Sequence, residues 1–371
     1  MAKSNIEILN LNNYERVNPQ SLLQIGNKYL TNGPDNNFFN LVEERYLGSP
    51  SLQAVIDNYC RYILGEGLIA LEGITQEKLD SILSKKDLAR LVKEFKKHNN
   101  SPLQVIYNKA GELKVTRIHS YFARQVCVDR PKDMMDDPTA YWFSYDWKLR
   151  GRFRPQLIKS FKEGENRETE MYYLQGNSEQ PFFSLPDYFS CLQYAKVEEE
   201  ISNYYIKHIQ NNFSAGKIVN INQGQSLSEE AEEDAERTIN NKLTGTNAAG
   251  NLIVCFNNNK EDATTVEDIQ IIDAYQQFTT LSEQANAKIL LANKVTSPSL
   301  FGHNVATGFS SDSEQMKTAL KTLYRSQINP LREEIIDGLE DILKIGYPDV
   351  KLGFKDFEEL REVDENKNKE I

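Results

Sequence analysis

The chain has 371 residues, of which 26% are charged and 10% aromatic, with 18 Tyr and 17 Phe; it can bury a sizeable core, and a disordered polyelectrolyte is excluded. A formal net charge of −11 speaks against a dedicated nucleic-acid-gripping surface, because phosphate affinity comes from Lys and Arg. It does not speak against a surface that DNA passes without sticking.

Residues 1–40 are rich in Asn, with Gly33 and Pro34, and read as an extended arm with one short helix near Pro19 to Tyr29. A helical segment begins around Asn40. After Ser49-Pro50, Leu52, Val55, Ile56, Tyr59, Ile63 and Leu64 form an apolar stripe ended by Gly65 and Gly67. A further helical region from about Gln76 to Lys97 carries mixed charge, with a break near Ser84. From Ser101 the period becomes that of strands. SPLQVIYNKAGELKVTRIHSYFARQVCVD gives two or three strands, and YWFSYDW, FRPQLIKSF and EMYYLQG continue the series. These predict a mainly antiparallel sheet decorated by the preceding helices, an α+β domain.

Two long helical patterns follow, from about Pro186 to Phe213 and from about Val266 to Asn293. Tyr194, Val197, Ile201, Tyr205 and Ile209 share one face of the first. Tyr275, Phe278, Leu281, Ala285 and Ile289 do so in the second, whose start is fixed by the capping box Thr264 and Glu267. Pro186 suits a first turn. Each helix would be roughly 40 Å long at about 1.5 Å per residue. Between them lie the strand AGKIVNI, a capped acidic helix carrying Glu229, Glu230, Glu233 and Glu236, and the strand GNLIVCF. After the second pattern comes TSPSLFGHNVATGFSS, a loop without Lys or Arg. A helix from about Asp312 to Lys344 follows, in which Asn329-Pro330 predicts a break or kink. VKLGF is a strand near the end. No apolar run approaches the ~18 residues of a membrane span, and MAKSNIEIL lacks the apolar core of a secretory signal.

Signatures of catalysis are missing from the sequence. There is no G-x-x-x-x-G-K-[ST], G-x-G-x-x-G or G-x-S-x-G motif. His98, His119, His208 and His303 are scattered, without H-x-x-x-H spacing. Cys60, Cys127, Cys191 and Cys255 are far apart and contain no C-x-x-C pair, which reads as free buried thiols in a reducing compartment. Asp129, Asp133, Asp136 and Asp137 are dense enough to suggest a metal-dependent hydrolase or nuclease, although a solvated turn explains them more simply. A cytosolic scaffold is another alternative.

The order helix, small α/β module, helix, loop, helix resembles the portal proteins of tailed bacteriophages. The words that carry the likeness are SPSLQAVIDNYCRYILGEGL, SLPDYFSCLQYAKVEEEISNYYIKHIQNNFSAGKIVNI, TGTNAAGNLIVCF, AKILLANKVTSPSLFG and GFSSDSEQMKTALKTLYRSQINPLREEI. The resemblance implies an arm at residues 1–40, an α+β wing at 41–185, a first stem helix at 186–215 and a clip at 216–264. It further implies a second stem helix at 265–298, a tunnel loop at 299–311, a tunnel and crown helix at 312–345 with a reduced crown, and a C-terminal strand and tail at 346–371. Ser299, Leu300, Phe301, Gly302, His303, Asn304, Thr307, Gly308 and Ser310 would face the DNA channel. Glu229, Glu230, Glu233, Glu236 and Asn247 would form the docking surface of the clip. Tyr194, Val197, Ile201, Tyr205, Tyr275, Phe278 and Leu281 would pack the stem. The implied assembly is a homo-oligomeric ring, dodecameric in phages, at one capsid vertex of the virion and made in the bacterial host cytoplasm. Its implied partners are the major capsid or scaffold protein, the large terminase subunit, a head–tail adaptor and non-specific double-stranded DNA, with no cofactor, metal, membrane or catalytic activity.

Overall fold

The computed structural model describes residues 22–108, 114–162, 169–177, 180–210, 217–222, 252–257, 274–302 and 313–357. Two compact units divide the chain: Met1–Gln193 with Lys288–Ile371, and Tyr194–Ala287.

In the first unit β1 (Leu23–Ile25) and β2 (Tyr29–Asn32) form a hairpin. The expected helix near Pro19 to Tyr29 is therefore replaced, over its described residues, by strands. Gly26 closes the turn by donating to the Tyr29 carbonyl at 3.1 Å, and β2 then pairs with β6, so tertiary pairing overrides local propensity. Asn36 fastens this region. Its carboxamide accepts from the Asn32 amide at 2.9 Å and donates to the carbonyls of Arg124 (3.0 Å) and Val126 (3.2 Å).

Helices α1 (Phe38–Gly48) and α2 (Pro50–Leu64) follow. Ser49 caps α2 by accepting from the Leu52 amide at 3.2 Å, and Pro50 occupies its first turn. Leu52, Val55, Ile56, Tyr59 and Ile63 are buried to 1% exposure or less, as the stripe predicts. At Gly65, with φ of 52°, a Cβ would run into the Lys355 carbonyl, so the chain turns there at a residue without one. The next stretch forms β3 (Gly67–Glu72), a strand not anticipated because its partner, β12 (Lys351–Lys355), lies at the far end of the chain.

Helices α3 (Gln76–Ile82) and α4 (Lys85–His98) are separated at Ser84, whose hydroxyl accepts from the Asp87 amide. Beyond them come β4 (Asn100–Tyr107), β5 (Val115–Ser120), β6 (Val126–Asp129), β7 (Ala140–Phe143), β8 (Gln156–Lys159) and β9 (Thr169–Gln175). They make two antiparallel sheets rather than the single one expected, in the orders β1-β2-β6-β7-β8 and β5-β4-β9. The split falls between β5 and β6, where a 3-10 turn at Ala123–Gln125 redirects the chain.

Helix α4 carries charge into the interior: Glu94, Lys96, Lys97 and His98 are each 4% exposed or less. Buried charges must be paired, and these are. Lys96 Nζ meets Asp187 at 2.8 Å, and Lys97 Nζ meets Glu43 of α1 and, at 3.6 Å, Glu94. Glu94 Oε2 accepts from the Ala123 amide at 2.8 Å. Burial pushes the Glu94 carboxyl up, opposed by Lys97 and the Ala123 amide. His98 is driven well below the ordinary imidazole value by burial and then by Lys97 and Arg124, so its ring is neutral.

The same pairing explains why α5 (Leu192–Gln210) starts later than Pro186. Asp187 is held by Lys96, and the Tyr188 hydroxyl donates to the Lys97 carbonyl at 2.6 Å. The chain makes a turn and a 3-10 segment, Phe189–Cys191, before the helix begins.

After α6 (Ala274–Ala292) and a 3-10 turn at Pro298–Phe301, the chain forms α7 (Ser313–Leu323), a π-helical segment at Tyr324–Ile328 and α8 (Asn329–Leu343). Pro330, which cannot donate to the preceding turn, follows immediately after the wide turn, so the expected irregularity takes the form of a π segment. Arg332 on α8 donates to the carbonyls of Ile63 and Tyr62, both at 2.9 Å, and pairs with Asp356. Glu340 Oε1 accepts from the Leu352 amide at 2.9 Å, beside the β3–β12 ribbon.

Removing Lys97 leaves Glu94 buried without its near cation. Lys97→Ala is expected to lower the unfolding free energy by about 3–5 kcal/mol, and adding Glu94→Gln to recover part of it. Chemical denaturation of the two variants checks this.

Candidate functional site

The region to which the sequence assigns function comprises α5, the module after it, α6 and the turn beyond Pro298. In the second unit, β10 (Lys217–Asn222) and β11 (Leu252–Asn257) pair in parallel, from Lys217 opposite Leu252 to Asn222 opposite Asn257. Parallel neighbours require a crossover, and the residues between the two strands, 223–251, lie outside the described set. Glu229, Glu230, Glu233, Glu236 and Asn247 belong to that stretch and lie outside the described residues, as do the Thr264–Glu267 capping box and the start of the second long helix before Ala274.

On α5, Tyr194 is 37% exposed, and Val197, Ile201 and Tyr205 are half-buried. On α6, Phe278 is half-buried and Leu281 is 44% exposed, whereas the side chain of Tyr275 is outside the described set. The structure brings Tyr205 and Phe278 together at 6.1 Å between ring centroids, but the closer contact is Tyr204 on Phe278, at 4.4 Å. Sequence reasoning missed Tyr204. Its signal was the adjacent aromatic pair Tyr204-Tyr205, of which the three-to-four spacing selects just one. Ile206 and Ile209 are more than half exposed. Lys196 is bound by Glu200 (2.7 Å) and Glu199 (3.1 Å), which raise its pKa, so its ammonium is already engaged.

The turn after α6 is fastened to α2. The Tyr59 hydroxyl donates to the Asn293 carbonyl and the Tyr62 hydroxyl to that of Leu300, both at 2.7 Å. Phe301 packs against both rings, at 5.0 and 5.9 Å, and is 1% exposed. Burial pushes both phenols up in pKa, so they remain protonated donors. Among the residues expected to face a channel, Ser299 and Gly302 are exposed, Leu300 is half-buried and Phe301 is a core side chain. Gly302 has φ of 79°, which suits a residue without a Cβ at the exit of a turn. His303, Asn304, Thr307, Gly308 and Ser310 lie outside the described residues.

The acidic turn does not assemble a metal site. Asp129 Oδ1 accepts from Trp142 Nε1 at 2.6 Å, and Asp133 Oδ1 from the Met135 amide at 3.1 Å. Among the described residues no group of three or more His, Cys, Asp or Glu is placed to hold a metal ion. Of the histidines, His98 is buried beside Glu94, and His119 Nδ1 contacts Asp87 at 2.8 Å. Cys60, Cys127 and Cys191 are buried free thiols. Burial raises all three, Cys60 and Cys191 to about 12, far from the thiolate that nucleophilic chemistry needs.

No protein-family model matches the chain. By sequence it is similar to the probable portal protein of Escherichia phage P2, 22% identical over 253 residues, covering 68% of this chain and 66% of that protein. By fold it is similar to chains from two solved assemblies of a gene transfer agent. One is described as the virion of the native particle, with TM-score 0.57, 14% identity, and coverage of 89% of this chain and 87% of the other. Another is the neck of the native particle computed with C12 symmetry, with TM-score 0.56, 15% identity and coverage of 86% and 84%. At such identities the structural likeness establishes a shared mixed α+β fold. Together with the phage P2 match, it bears out the resemblance to portal proteins read from the sequence. None of these proteins is described as an enzyme.

A residue lining an open channel tolerates truncation, whereas a core anchor does not. Phe301→Ala is expected to destabilise the protein by about 3–5 kcal/mol, against about 0.5 kcal/mol or less for Ser299→Ala at the exposed neighbouring position. Thermal or urea unfolding of the pair separates the two roles.

Proposed function

We propose that this chain is the portal subunit of a phage-like particle. Copies form a closed ring at one capsid vertex, through which double-stranded DNA enters during packaging and leaves during ejection. The observation that carries this reading is the order α5, parallel β10–β11 pair, α6, set in a fold shared with neck and virion chains of a gene transfer agent.

Residues 41–185 form the wing. Helices α5 and α6 are the stem, and residues 216–264 are the clip, where a terminase docks first and a head–tail adaptor afterwards. The loop at 299–311 faces the duplex, with Phe301 as its anchor and the polar residues after it nearest the DNA. Support for a ring comes from the apolar side chains that α5 and α6 leave exposed. Ile206, Ile209 and Leu291 are each more than 50% exposed, and neighbouring copies would cover them. An acidic chain without Lys or Arg from Ser299 to Ser310 suits a conduit that must not hold a polyanion. The role is mechanical, and the energy for translocation comes from the separate terminase. The subunit is made in the bacterial cytoplasm and resides in the virion, where the capsid or scaffold protein surrounds the wing.

Electron microscopy of the purified protein is expected to show rings with a central hole wide enough for duplex DNA. A monodisperse monomer under all salt and concentration conditions overturns the reading.

A further inference from the structure

Two surface turns of the five-stranded sheet have so far no partner. The first joins β7 to β8. Lys148, Arg150, Arg152, Arg154 and Lys159 follow one another there without an intervening carboxylate, in a chain of net charge −11. The turn is a built one. Asp146 Oδ1 accepts from the amides of Lys148 (2.8 Å) and Leu149 (3.3 Å), and Trp147 is buried beneath it, 5.0 Å from the Tyr29 ring. Arg150 is already engaged by Asp35 and the Tyr29 hydroxyl. Lys148, Arg152 and Arg154 are exposed and make no ion pair among the described residues. Beside them Leu149 is 51% and Tyr145 69% exposed. A phosphate backbone offers nothing apolar to cover these two side chains. A protein surface carrying both carboxylates and apolar groups does.

The second turn joins β6 to β7 and supplies such a surface. Asp133, Asp136 and Asp137 flank Met134 and Met135, and Met135 is 91% exposed. Met135, Asp136 and Asp137 line a groove of about 490 Å³ together with Tyr141, Phe161 and Tyr173. Asp136 and Asp137 are the charged side chains of its described lining; Arg130 and Lys132 begin the same turn but do not line the groove. The Tyr141 and Tyr173 rings stack at 5.2 Å. The Tyr173 hydroxyl is buried and has no hydrogen-bond partner among the described residues. Aromatic faces beside carboxylates suit a guanidinium group.

The two turns sit at opposite ends of β7, which is four residues long and so roughly 13 Å at about 3.3 Å per residue. Pairing of β7 with β6 and β8 holds them apart within one copy. We propose that the Lys148–Arg154 turn of one copy seats in the Met135–Asp137 groove of the next, with Leu149 on the methionines and the exposed cations facing Asp136 and Asp137. A head-to-tail contact of this kind closes into a ring when the rotation between copies closes. The proposal rests on the ring reading above and adds the contact that sets the order of copies within it.

Charge reversal tests it. Arg152→Glu with Arg154→Glu, and separately Asp136→Arg with Asp137→Arg, are expected to raise the protein concentration needed for rings by about tenfold or more. The four changes together are expected to restore assembly, read by mass photometry and electron microscopy. Thermal unfolding of each variant, and the milder Arg152→Gln with Arg154→Gln, confirm that loss of assembly is not loss of fold. Wild-type rings with unaffected reversals, or a combined variant that recovers nothing, overturn the proposed contact and leave the portal reading standing. A wild type that never forms rings overturns both.

Discussion

Helix α4 brings ionised side chains into the protein interior, and each of Glu94, Lys96 and Lys97 finds a charged or hydrogen-bonding partner there. Lys96 takes Asp187, Lys97 takes Glu43, and Glu94 takes the Ala123 amide. Those partners lie on the approach to α5, on α1 and on the 3-10 turn between the two sheets. One helix therefore fixes the placement of three otherwise separate pieces. Removing one partner strands a charge at a cost of several kcal/mol, while the intact pair roughly breaks even against an apolar substitute. What the network contributes is thus arrangement more than net stability. It sets where the chain turns before the first long helix.

A second fastening governs the return. Tyr59 and Tyr62 on α2 hold the end of α6 and the Pro298–Phe301 turn, and Arg332 on α8 caps the carbonyls at the end of that same α2. Helix α2 is thereby gripped near its C-terminus by residues over 200 positions downstream. Helix α4, the turn after the second long helix and the C-terminal helix meet on one element. Three hydrogen-bonding side chains, Tyr59, Tyr62 and Arg332, thus tie the end of α6, the turn beyond it and α8 to α2.

The sequence made local features legible and distant ones obscure. The stripe from Leu52 to Ile63, the break at Ser84 and both strands of the parallel pair follow from spacing and capping, which depend on neighbours a few residues away. The split into two sheets, the β3–β12 ribbon and the β1–β2 hairpin depend on partners far along the chain, which periodicity does not encode. Lys96 and Lys97 are legible in the sequence only as part of a region of mixed charge, and charge is ordinarily outside; their partners at Asp187 and Glu43 come from other elements. In the candidate site, position alone groups Phe301 with its small polar neighbours, although its ring belongs to the core. Spacing selects Tyr205 where the tighter stack is made by Tyr204. The likeness to portal proteins came from the order of elements, which survives even where the individual residues diverge.

The π segment at Tyr324–Ile328 acts as a phase shifter. A π turn accommodates about one residue more than an α turn, and one residue is about 100° of rotation on a helix of 3.6 residues per turn. Helix α8 is locked in azimuth by Arg332 and by Gly338, whose missing side chain admits Leu174 and Tyr172. The face that α7 presents is therefore chosen by the extra residue and not by its own contacts alone. Deleting a single residue between Leu323 and Asn329 would leave both helices intact in composition yet turn α7 by more than a quarter of a revolution. Length at this one point, rather than the chemistry of any side chain, decides which way the segment leading back to the loop is aimed.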